Sequence, residues 1–536
     1  MRNKDRVGVG FERQLTLRSM LIGALGAVVI TTSSMYVALR MGALPWPTIF
    51  VAVLSMALLK LLGNTNLKEI NVTHTAMSAG GMVAGGVAFT IPGIWMLTPE
   101  APFEFMPLIA ISVAGTLLGL LFTAILRKYF IEMNPHPFPT GQAAYETVVA
   151  GDAGGTKAKL LFIPMAIAAV FTYIKDWFGA VPAFWNSQVL AKYNIQFGMY
   201  ISPMALGIGY IIGPLYTLVW FLGGFLTYFL IQPIGISIGV FSDVGAASAF
   251  TSSLGIGLML GAGVGVLLVG ILPGISKIFG FSRGRRVKRR INAIVPLFLA
   301  FVVLLLTILT DLNIVVSLLL IFGTWITTTM SASITGQTGI NPMEVFGIMV
   351  LLALKPFGAV GVSAFLVAGV VAVASGLAGD VLNDFKAGHL HGTDPKAQLV
   401  AEGVGGLIGA VVSVLVLFFL FKAYGVMGPG TEFIAPQAAM VAAMVDGLPH
   451  TGGFIAGLVI GVLLYVLKVP AMTLGIGVYL PISISATAAL GGLIHWIVKK
   501  VRPELVSDGT VVASGFLGGE GVTGVLIAII KVLTMG

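Results

Sequence analysis

Long, nearly uninterrupted apolar stretches most constrain what this 536-residue chain can fold into. Residues 17–39, 291–310 and 400–421 each reach the roughly 20 residues that a helix needs to cross a membrane. None of them alternates in the way that the strands of a membrane barrel do. Hydrophobic residues make up 57% of the sequence and charged residues only 10%. We therefore predict an all-α polytopic membrane protein with about 14–16 transmembrane helices, some of them broken or re-entrant.

The net charge of +9 indicates how the chain is oriented in the membrane. Basic residues concentrate in short loops, above all in RGRRVKRR at 283–290, and such loops usually lie in the cytoplasm. We expect the N-terminus on the same side, a first span that is retained rather than cleaved, and a location in the cell (plasma) membrane. A lipid-binding or nucleic-acid role for the basic loop is the alternative, although no nucleic-acid motif accompanies it.

Several functional classes are excluded by residues that the sequence lacks. With zero cysteines, the chain has no disulfide, no thiolate metal site and no cysteine nucleophile. No GxxxxGK[ST] phosphate loop is present. GLAGD at 376–380 approaches the GxGD signature of intramembrane proteases, but the spacing differs and a Tyr-Asp partner motif is missing. We predict no catalytic residues, no cofactor and no fixed metal site, which leaves a secondary transporter.

The sequence contains an internal repeat. MALGIGY at 204–210 returns as MTLGIGV at 472–478, and the Gln-Ala-Ala of 142–144 returns at 437–439. The displacement falls from 295 to 268, which one insertion of roughly 27 residues within 175–200 explains. We predict a first repeat at 1–275, a basic cytoplasmic linker with an extra helix at 276–312, and a second repeat at 313–536, in inverted orientation. Similar Gly and Ala content alone is the alternative.

A proline-rich stretch, NPHPFPTGQAAYETVVAGDAGG at 134–155, interrupts two apolar runs. Its prolines forbid a regular helix, and Thr140 is suited to cap a new helix at its N-terminus. The second half repeats this pattern at 432–447. Broken helices of this kind place polar groups inside a shielded cavity, whereas a pair of surface turns is the alternative. The candidate cargo-binding residues here are Asn134, Gln142, Tyr145, Glu146 and Gln437.

A second break is predicted at SITGQTGINPMEVFG, residues 333–347, where glycines and an Asn-Pro step separate two apolar runs. It offers Gln337 and Asn341 as further cargo-binding candidates, with Glu344 nearby. MGALPWP at 41–47 is its relative in the first half. A simple turn between helices is the alternative for both segments.

Embedded carboxylates are the candidates for proton coupling. Asp380 and Asp384 are four residues apart and share a helical face. Two carboxylates that are this close raise each other's proton affinity, as a proton-coupling site requires. A loop with solvated charges is the alternative. Glu146 and Glu402 complete the proton-coupling set, and Glu520 is a further candidate. We expect His74 to be an ordinary hydrogen-bonded residue of a helix.

Together, NPHPFPTGQAA, ITGQTGINPMEVFGIM, GDVLNDFKAGHLHGTDPKAQ and APQAA (435–439) resemble the oligopeptide transporter (OPT) family, and the likeness covers most of the chain. The Asn-Pro-x-Pro-Phe run at 134–138 looks like an element of that family. The KIPPR element and the long acidic N-terminal motif of the fungal and plant peptide clade are missing. The sequence is therefore more similar to the prokaryotic and yellow stripe-like branch.

The resemblance implies a carrier with about 16 spans that moves peptides, peptide derivatives or metal chelates together with protons. A metal that is carried inside its chelator needs no protein ligand set, which agrees with the weak metal motifs. We expect the partners to be a small-molecule or peptide substrate, protons and the lipid bilayer, with no nucleic acid and with a homo-oligomer allowed. A passive channel is the alternative function, because a polar lining alone does not distinguish the two.

Overall fold

The structure is a computed structural model, and it describes residues 10–42, 44, 48–151, 156–192, 195–265, 268–269, 294–338, 341–446 and 450–535. Among these residues, eleven helices are long and apolar enough to cross a membrane, or twelve if one strongly bent pair counts as a span. Three shorter apolar helices accompany them. The predicted all-α polytopic membrane fold is confirmed.

The described elements follow one another along the chain as helices with a single small hairpin. In chain order they are α1 Leu17–Met41, α2 Thr48–Leu62, α3 Leu67–Ala88, α4 Gly93–Leu97, α5 Phe105–Arg127, α6 Pro139–Gly151, α7 Thr156–Phe178, β1 Phe184–Asn186, α8 Gln188–Ala191, β2 Gly198–Tyr200, α9 Pro203–Ile212, α10 Pro214–Phe225, α11 Gln232–Ser237, α12 Val244–Gly265, α13 Ile294–Leu309, α14 Ile314–Thr338, α15 Met343–Leu354, α16 Val362–His391, α17 Pro395–Tyr424, α18 Pro436–Asp446, α19 Thr451–Val466, α20 Ala471–Tyr479, α21 Ile482–Val501 and α22 Val506–Met535.

The first of two compact units comprises Met1–Ala38, Trp46–Lys159 and Gly274–Met427. Its centre is α3, which is buried from Glu69 to Ala88 and packs against α16 and α17, while α16 also packs against α5. Small residues allow this close approach. Gly405 of α17 faces the backbone of Ala76, so that any side chain at 405 would collide with α3.

The second unit comprises Leu39–Pro45, Leu160–Pro273 and Gly428–Gly536. Its α12 packs tightly against α19, where glycines of both helices leave room for close backbone contact. An antiparallel hairpin of β1 and β2 lies in the segment between α7 and α9, with Phe184 paired to Tyr200. The first four residues of the predicted insertion 175–200 belong to α7, and the insertion itself stays a prediction.

A buried ionic network holds the second unit together around Glu520. Lys175 Nζ lies 3.2 Å from Glu520 Oε1, while Ser202 Oγ and the Met204 amide each donate to Oε2 at 2.8 Å. The carboxylate thus occupies the N-terminus of α9, where the helix dipole favours negative charge. Beside it, Arg40 donates to the hydroxyl of Tyr200 and pairs with Glu432. Burial raises the pKa of Tyr200, so its hydroxyl stays protonated.

Two helices begin in the same unusual way, one in each unit. Phe138 and Ala435 have φ angles of 45° and 41°, and each directly precedes the proline that begins α6 or α18. The Phe138 amide donates to Gly336 O at 2.9 Å near the end of α14, and the Ala435 amide donates to Leu39 O at 2.8 Å near the end of α1. These bonds hold a left-handed backbone that costs on the order of 1–3 kcal/mol at a non-glycine residue. Thr140 is the second residue of α6, so its predicted role as the helix cap is wrong.

The two breaks are related by a constant spacing. Phe138 and Ala435 are 297 residues apart, as are their acceptors Leu39 and Gly336, and α1 and α14 have 25 residues each. Each hydrogen bond therefore joins a residue of one sequence half to a residue of the other. After the hairpin segment the spacing is 268, between the starts of α10 and α21. The basic segment 283–290 lies outside the described residues, so its cytoplasmic placement stays a prediction.

We predict that Glu520→Gln destabilises the protein strongly. Breaking a buried ion pair by neutralising one partner typically costs roughly 3–5 kcal/mol, because Lys175 would keep a buried charge. Glu132→Gln is the matched control, since Glu132 is half exposed where it pairs with Arg127, and such pairs contribute about 0–1 kcal/mol. Thermal unfolding in detergent should show a large fall in melting temperature for the first variant alone. Equal falls would contradict the structural role of Glu520.

Candidate functional site

Three carboxylates meet in the core of the first unit, and we call them the acidic triad: Asp380 and Asp384 on α16, and Glu402 on α17. One oxygen from each residue lies within 4.8 Å of the others, and all three residues are buried at 0% exposure. Within the described part of the chain, no other group of three His, Cys, Asp or Glu residues is this close. The structure thus brings together three of the four predicted proton-coupling residues.

The acidic triad has few partners for its charge. Asp380 Oδ2 accepts from Ser78 Oγ at 2.7 Å, but Asp380 Oδ1 and both oxygens of the Asp384 and Glu402 carboxylates have no N–H or O–H donor among the described residues when all three are ionised. Asp384 and Glu402 are close enough to hydrogen-bond to each other once one of them carries a proton. No lysine or arginine among those residues forms an ion pair with it. At 4.8 Å and an effective dielectric constant of 20, two ionised carboxylates repel by about 3.5 kcal/mol. A proton or another cation must therefore balance the charge when the triad is buried.

Helix α3 supplies the remaining side chains around the acidic triad. His74 Nε2 lies 3.6 Å from Asp384 Oδ1, too far for a hydrogen bond, and both ring nitrogens of His74 have no hydrogen-bond partner among the described residues. No described protein group therefore supplies the hydrogen bond that we expected for His74. Gln398, on α17, donates to the Asp384 carbonyl at 2.7 Å and to Thr75 Oγ1 at 3.3 Å. The atoms that the triad offers to a ligand are carboxylate oxygens, which bind protons and also hard cations.

The local sequence explains why these side chains converge. Helix α16 runs unbroken from Val362 to His391, so the four-residue spacing of Asp380 and Asp384 places both on one face. Glu402 lies one helical turn before Gly405, where α17 comes close to α3, and this places its side chain in the core. The alternative of a loop with solvated charges is wrong, because both aspartates are fully buried in a helix.

Glu520 provides an instructive contrast within the same chain. It is as buried as the acidic triad, yet Lys175, Ser202 and the Met204 amide satisfy its oxygens. A carboxylate with this many fixed partners stabilises one structure. The triad instead retains unused oxygen lone pairs at a cost to stability, which is typical of a functional site.

The predicted cargo residues of the first break lie on and before α6 in the first unit. Gln142 is exposed, and Asn134 Nδ2 contacts the Tyr129 hydroxyl at 3.4 Å. Tyr145 is half-buried, with its ring 4.6 Å from that of His391 at the end of α16. The backbone of α6 is anchored by the Gly141 amide, which donates to Asn383 Oδ1 at 2.9 Å. Glu146 belongs to α6, but its side chain lies outside the described part of the structure.

The other predicted cargo residues divide between the units. Asn341 donates to the Ser375 and Gly376 carbonyls at 2.8 and 3.2 Å, so it joins the break after α14 to α16. The side chain of Gln337 lies outside the described residues. In the second unit, Gln437 is buried and donates to Gly42 O at 2.8 Å. Whether Gln142 and Gln437 share a cavity stays a prediction.

Sequence reasoning missed His74 and Ser78 as members of the site. The sequence did indicate them, since residues 71, 74, 75 and 78 are polar at the spacing of one helical face, and the remaining residues of α3 after Glu69 are apolar or glycine except for Thr73. A buried helix gains nothing from a polar stripe unless that stripe faces other polar groups. The polar stripe on α3 therefore indicated that other polar groups, here the acidic triad, lie against this helix.

Comparison with known proteins gives one match over nearly the whole chain. The protein-family model described as "OPT oligopeptide transporter protein" matches residues 14–531. A protein of Haemophilus influenzae named "Putative oligopeptide transporter" is 26% identical over 592 aligned positions, which cover 92% of each chain. "Metal-nicotianamine transporter YSL2" of Arabidopsis thaliana is 36% identical over 110 positions, or 19% of this chain and 16% of that protein. "Putative oligopeptide transporter YGL114W" of Saccharomyces cerevisiae is 28% identical over 222 positions, or 36% and 30%.

We predict that Gly405→Ala disturbs the acidic triad by pushing α17 away from α3. A methyl group at 405 would collide with the Ala76 backbone, and overpacking of this kind typically costs about 1–3 kcal/mol. Gly403→Ala is the matched control on the same helix, because a methyl group there meets open space. Thermal unfolding should therefore separate the variants. A Gly405→Ala melting temperature equal to that of Gly403→Ala would show that the close contact is not required.

Proposed function

The chain belongs to the OPT oligopeptide transporter family, and on that premise we propose that it is a secondary active transporter that moves its cargo together with protons. It is a membrane transporter and not an enzyme. The observation that carries the proposal of proton coupling is the acidic triad, which is buried, has no lysine or arginine partner among the described residues, and needs a cation for neutrality. A proton is the smallest cation that can do this at a buried site.

Protons bound at the acidic triad can drive transport only if the affinity of the site changes during the cycle. The ionised carboxylates of Asp384 and Glu402 have no described N–H or O–H donor, so a small change in hydration or in the distance between the two helices would alter their proton affinity. Glu146 remains a proposed fourth member of the coupling set on the grounds of its position in α6. The triad would load protons in one state and release them in another.

We propose that the cargo is an oligopeptide, a peptide derivative or a metal chelate. Similarity to proteins named as oligopeptide transporters and as metal-nicotianamine transporters supports these cargo classes. The similarity that covers nearly the whole chain is to a protein named as an oligopeptide transporter. Peptides and chelates share carboxylates, amides and amines. The amide and hydroxyl groups of Gln142, Tyr145, Asn134 and Gln337 suit both. The amide nitrogens of Gln437 and Asn341 already donate to backbone carbonyls, but the Gln437 amide oxygen has no hydrogen bond to a described residue. A metal ion would enter as part of its chelate, held by the cargo's own ligands.

We also propose that the protein lies in the plasma membrane with its N-terminus in the cytoplasm, as the basic segment 283–290 favours. The constant spacing of 297 residues between the two helix breaks supports two related halves. The two hydrogen bonds are reciprocal, as a pseudo-two-fold relation between the halves would produce, and we propose that the halves are inverted. The repeat boundaries at 275 and 313 remain part of this proposal.

Neutralising the acidic triad should uncouple transport. We expect Asp384→Asn and Glu402→Gln to lower proton-driven accumulation by at least about tenfold, within the usual range of coupling factors. Exchange of cargo at equal pH should change far less, because it requires no net proton movement. The measurement uses proteoliposomes with labelled tripeptides and an iron–nicotianamine complex, and Glu132→Gln serves as the control.

Three outcomes of this assay are informative. Unchanged accumulation and pH dependence in both triad variants would contradict proton coupling at this site. Accumulation that follows a sodium gradient in place of a pH gradient would show that another cation neutralises the triad. Flux of the wild type that never exceeds equilibrium would favour the channel instead of the transporter.

We predict that Gln142 and Gln437 line one cargo cavity. A Gln142→Cys, Gln437→Cys double variant should cross-link within the chain when treated with a short bis-maleimide, since the protein has no other thiol. A variant pairing Gln142→Cys with Leu463→Cys is the control, because Leu463 is 56% exposed on the apolar α19. If both cysteines of the first variant react with a simple maleimide but do not cross-link, the shared cavity is wrong.

A further inference from the structure

One face of α3 carries four buried polar residues, and we call it the α3 polar face: Asn71, His74, Thr75 and Ser78. Their spacing of three, four and seven residues aligns them along one side of the helix. From Asn71 to Ser78 the face extends about 10 Å. It borders the acidic triad at Ser78 and His74, and it continues beyond the triad towards the start of α3.

The α3 polar face contains more polar atoms than the described protein satisfies. Both amide atoms of Asn71, both ring nitrogens of His74 and Gln398 Oε1 have no hydrogen bond to any described residue. Each such atom costs roughly 1–3 kcal/mol if it is left dry. Buried water commonly resolves this situation, since one molecule serves about three polar groups. A cluster of unsatisfied donors and acceptors over two helical turns is therefore a site for water.

The α3 polar face extends from the acidic triad towards the N-terminal end of α3 and the C-terminal end of α16. Helices α3 and α16 run antiparallel, because Ser78 meets Asp380, His74 meets Asp384, and Lys68 lies beside Gly392. Gln398 lies next to Gly388, between the triad and that end.

At that end of α16 lies His391, whose Nε2 is also buried without a hydrogen bond to the described residues. The ring of His391 contacts Tyr145 of α6. Other charged groups near this end are Lys68 and the Glu69–Arg18 pair, in which Glu69 is fully hydrogen-bonded and Arg18 is 32% exposed.

We propose that a file of water molecules follows the α3 polar face and joins the acidic triad to the surface beside Tyr145. Water in this position would carry protons between Asp384 and His391, and it would place the coupling site in direct communication with the helix that bears the predicted cargo residues. Asn71, His74, Thr75 and Gln398 hold this water by hydrogen bonds. The proton traffic rests on the proposed function, whereas the water itself does not.

The test is hydroxyl-radical footprinting of the full-length protein in detergent, with radicals made from bound water by a brief X-ray pulse. Bound water oxidises the side chains next to it, even when bulk solvent does not reach them. His74 and Met77 are both 0% exposed on α3, but Met77 packs against Gly26 on α1. We expect His74 to be oxidised faster than Met77, although methionine is intrinsically the more reactive side chain.

A matched pair of threonines locates the water. Thr75 faces the water path and Gln398, whereas the equally buried Thr73 bonds to the Glu69 carbonyl of its own helix. Thr75→Val should slow oxidation of His74 by roughly threefold or more, because it removes a partner for water. Thr73→Val should leave the rate unchanged. Asn71→Leu is a second variant of the path, for the case in which Thr75→Val does not fold.

The proposal is overturned if Met77 is oxidised as fast as His74, or if the Thr75 and Asn71 variants that fold leave the rate at His74 unchanged. The assay uses neither cargo nor a proton gradient. A protein that shows the water file but no proton-driven accumulation would therefore disprove the proposed coupling alone. A protein that accumulates cargo but keeps His74 unoxidised would disprove the water file alone.

Discussion

The cost of burying negative charge in a low-dielectric interior governs the first unit. Asp380, Asp384 and Glu402 lie in a core without a lysine or arginine partner among the described residues. A protein can hold such a group only if its carboxyls are protonated or if a bound cation neutralises them. Helices α3, α16 and α17 bring small and polar side chains to this point, and Gly405 allows α17 to approach the α3 backbone at Ala76.

The two helix breaks address a different constraint, which is that backbone groups at membrane depth must find partners. At each break a residue with a left-handed backbone donates its amide to a carbonyl near the end of a 25-residue helix. The strained residues Phe138 and Ala435 are then held by the neighbouring helix as well as by their own sequence. This hydrogen bond fixes the N-terminus of α6 to α14 and that of α18 to α1. The side chains in the first turns of α6 and α18 therefore point in a defined direction.

The helices and their breaks could be predicted from the sequence, but which helices pack against each other could not. Long apolar runs predicted the membrane helices, and the prolines at 135, 137, 139 and 436 predicted the breaks, because both signals are local. The shared face of Asp380 and Asp384 was also predictable from their spacing. That Glu402 joins them, and that Glu520 does not, depends on which helices pack together. His74 was misjudged because its surroundings consist of side chains far away in sequence, on α16 and α17.

Coupling between cargo and protons requires that binding of one changes the affinity for the other by the same factor in both directions. The first unit offers a physical connection for such an exchange, since a single helix, α16, carries the acidic triad at Asp380 and Asp384 and contacts Tyr145 through His391. The α6 backbone is tied to that same helix at Asn383, one residue before Asp384. A shift of α6 upon cargo binding would therefore act on the turn of α16 that holds Asp384. The carboxylate of Asp384 accepts no hydrogen bond from a described N–H or O–H donor, and its residue directly follows Asn383, so a shift of α6 would reach Asp384 before it reached Glu402 on α17.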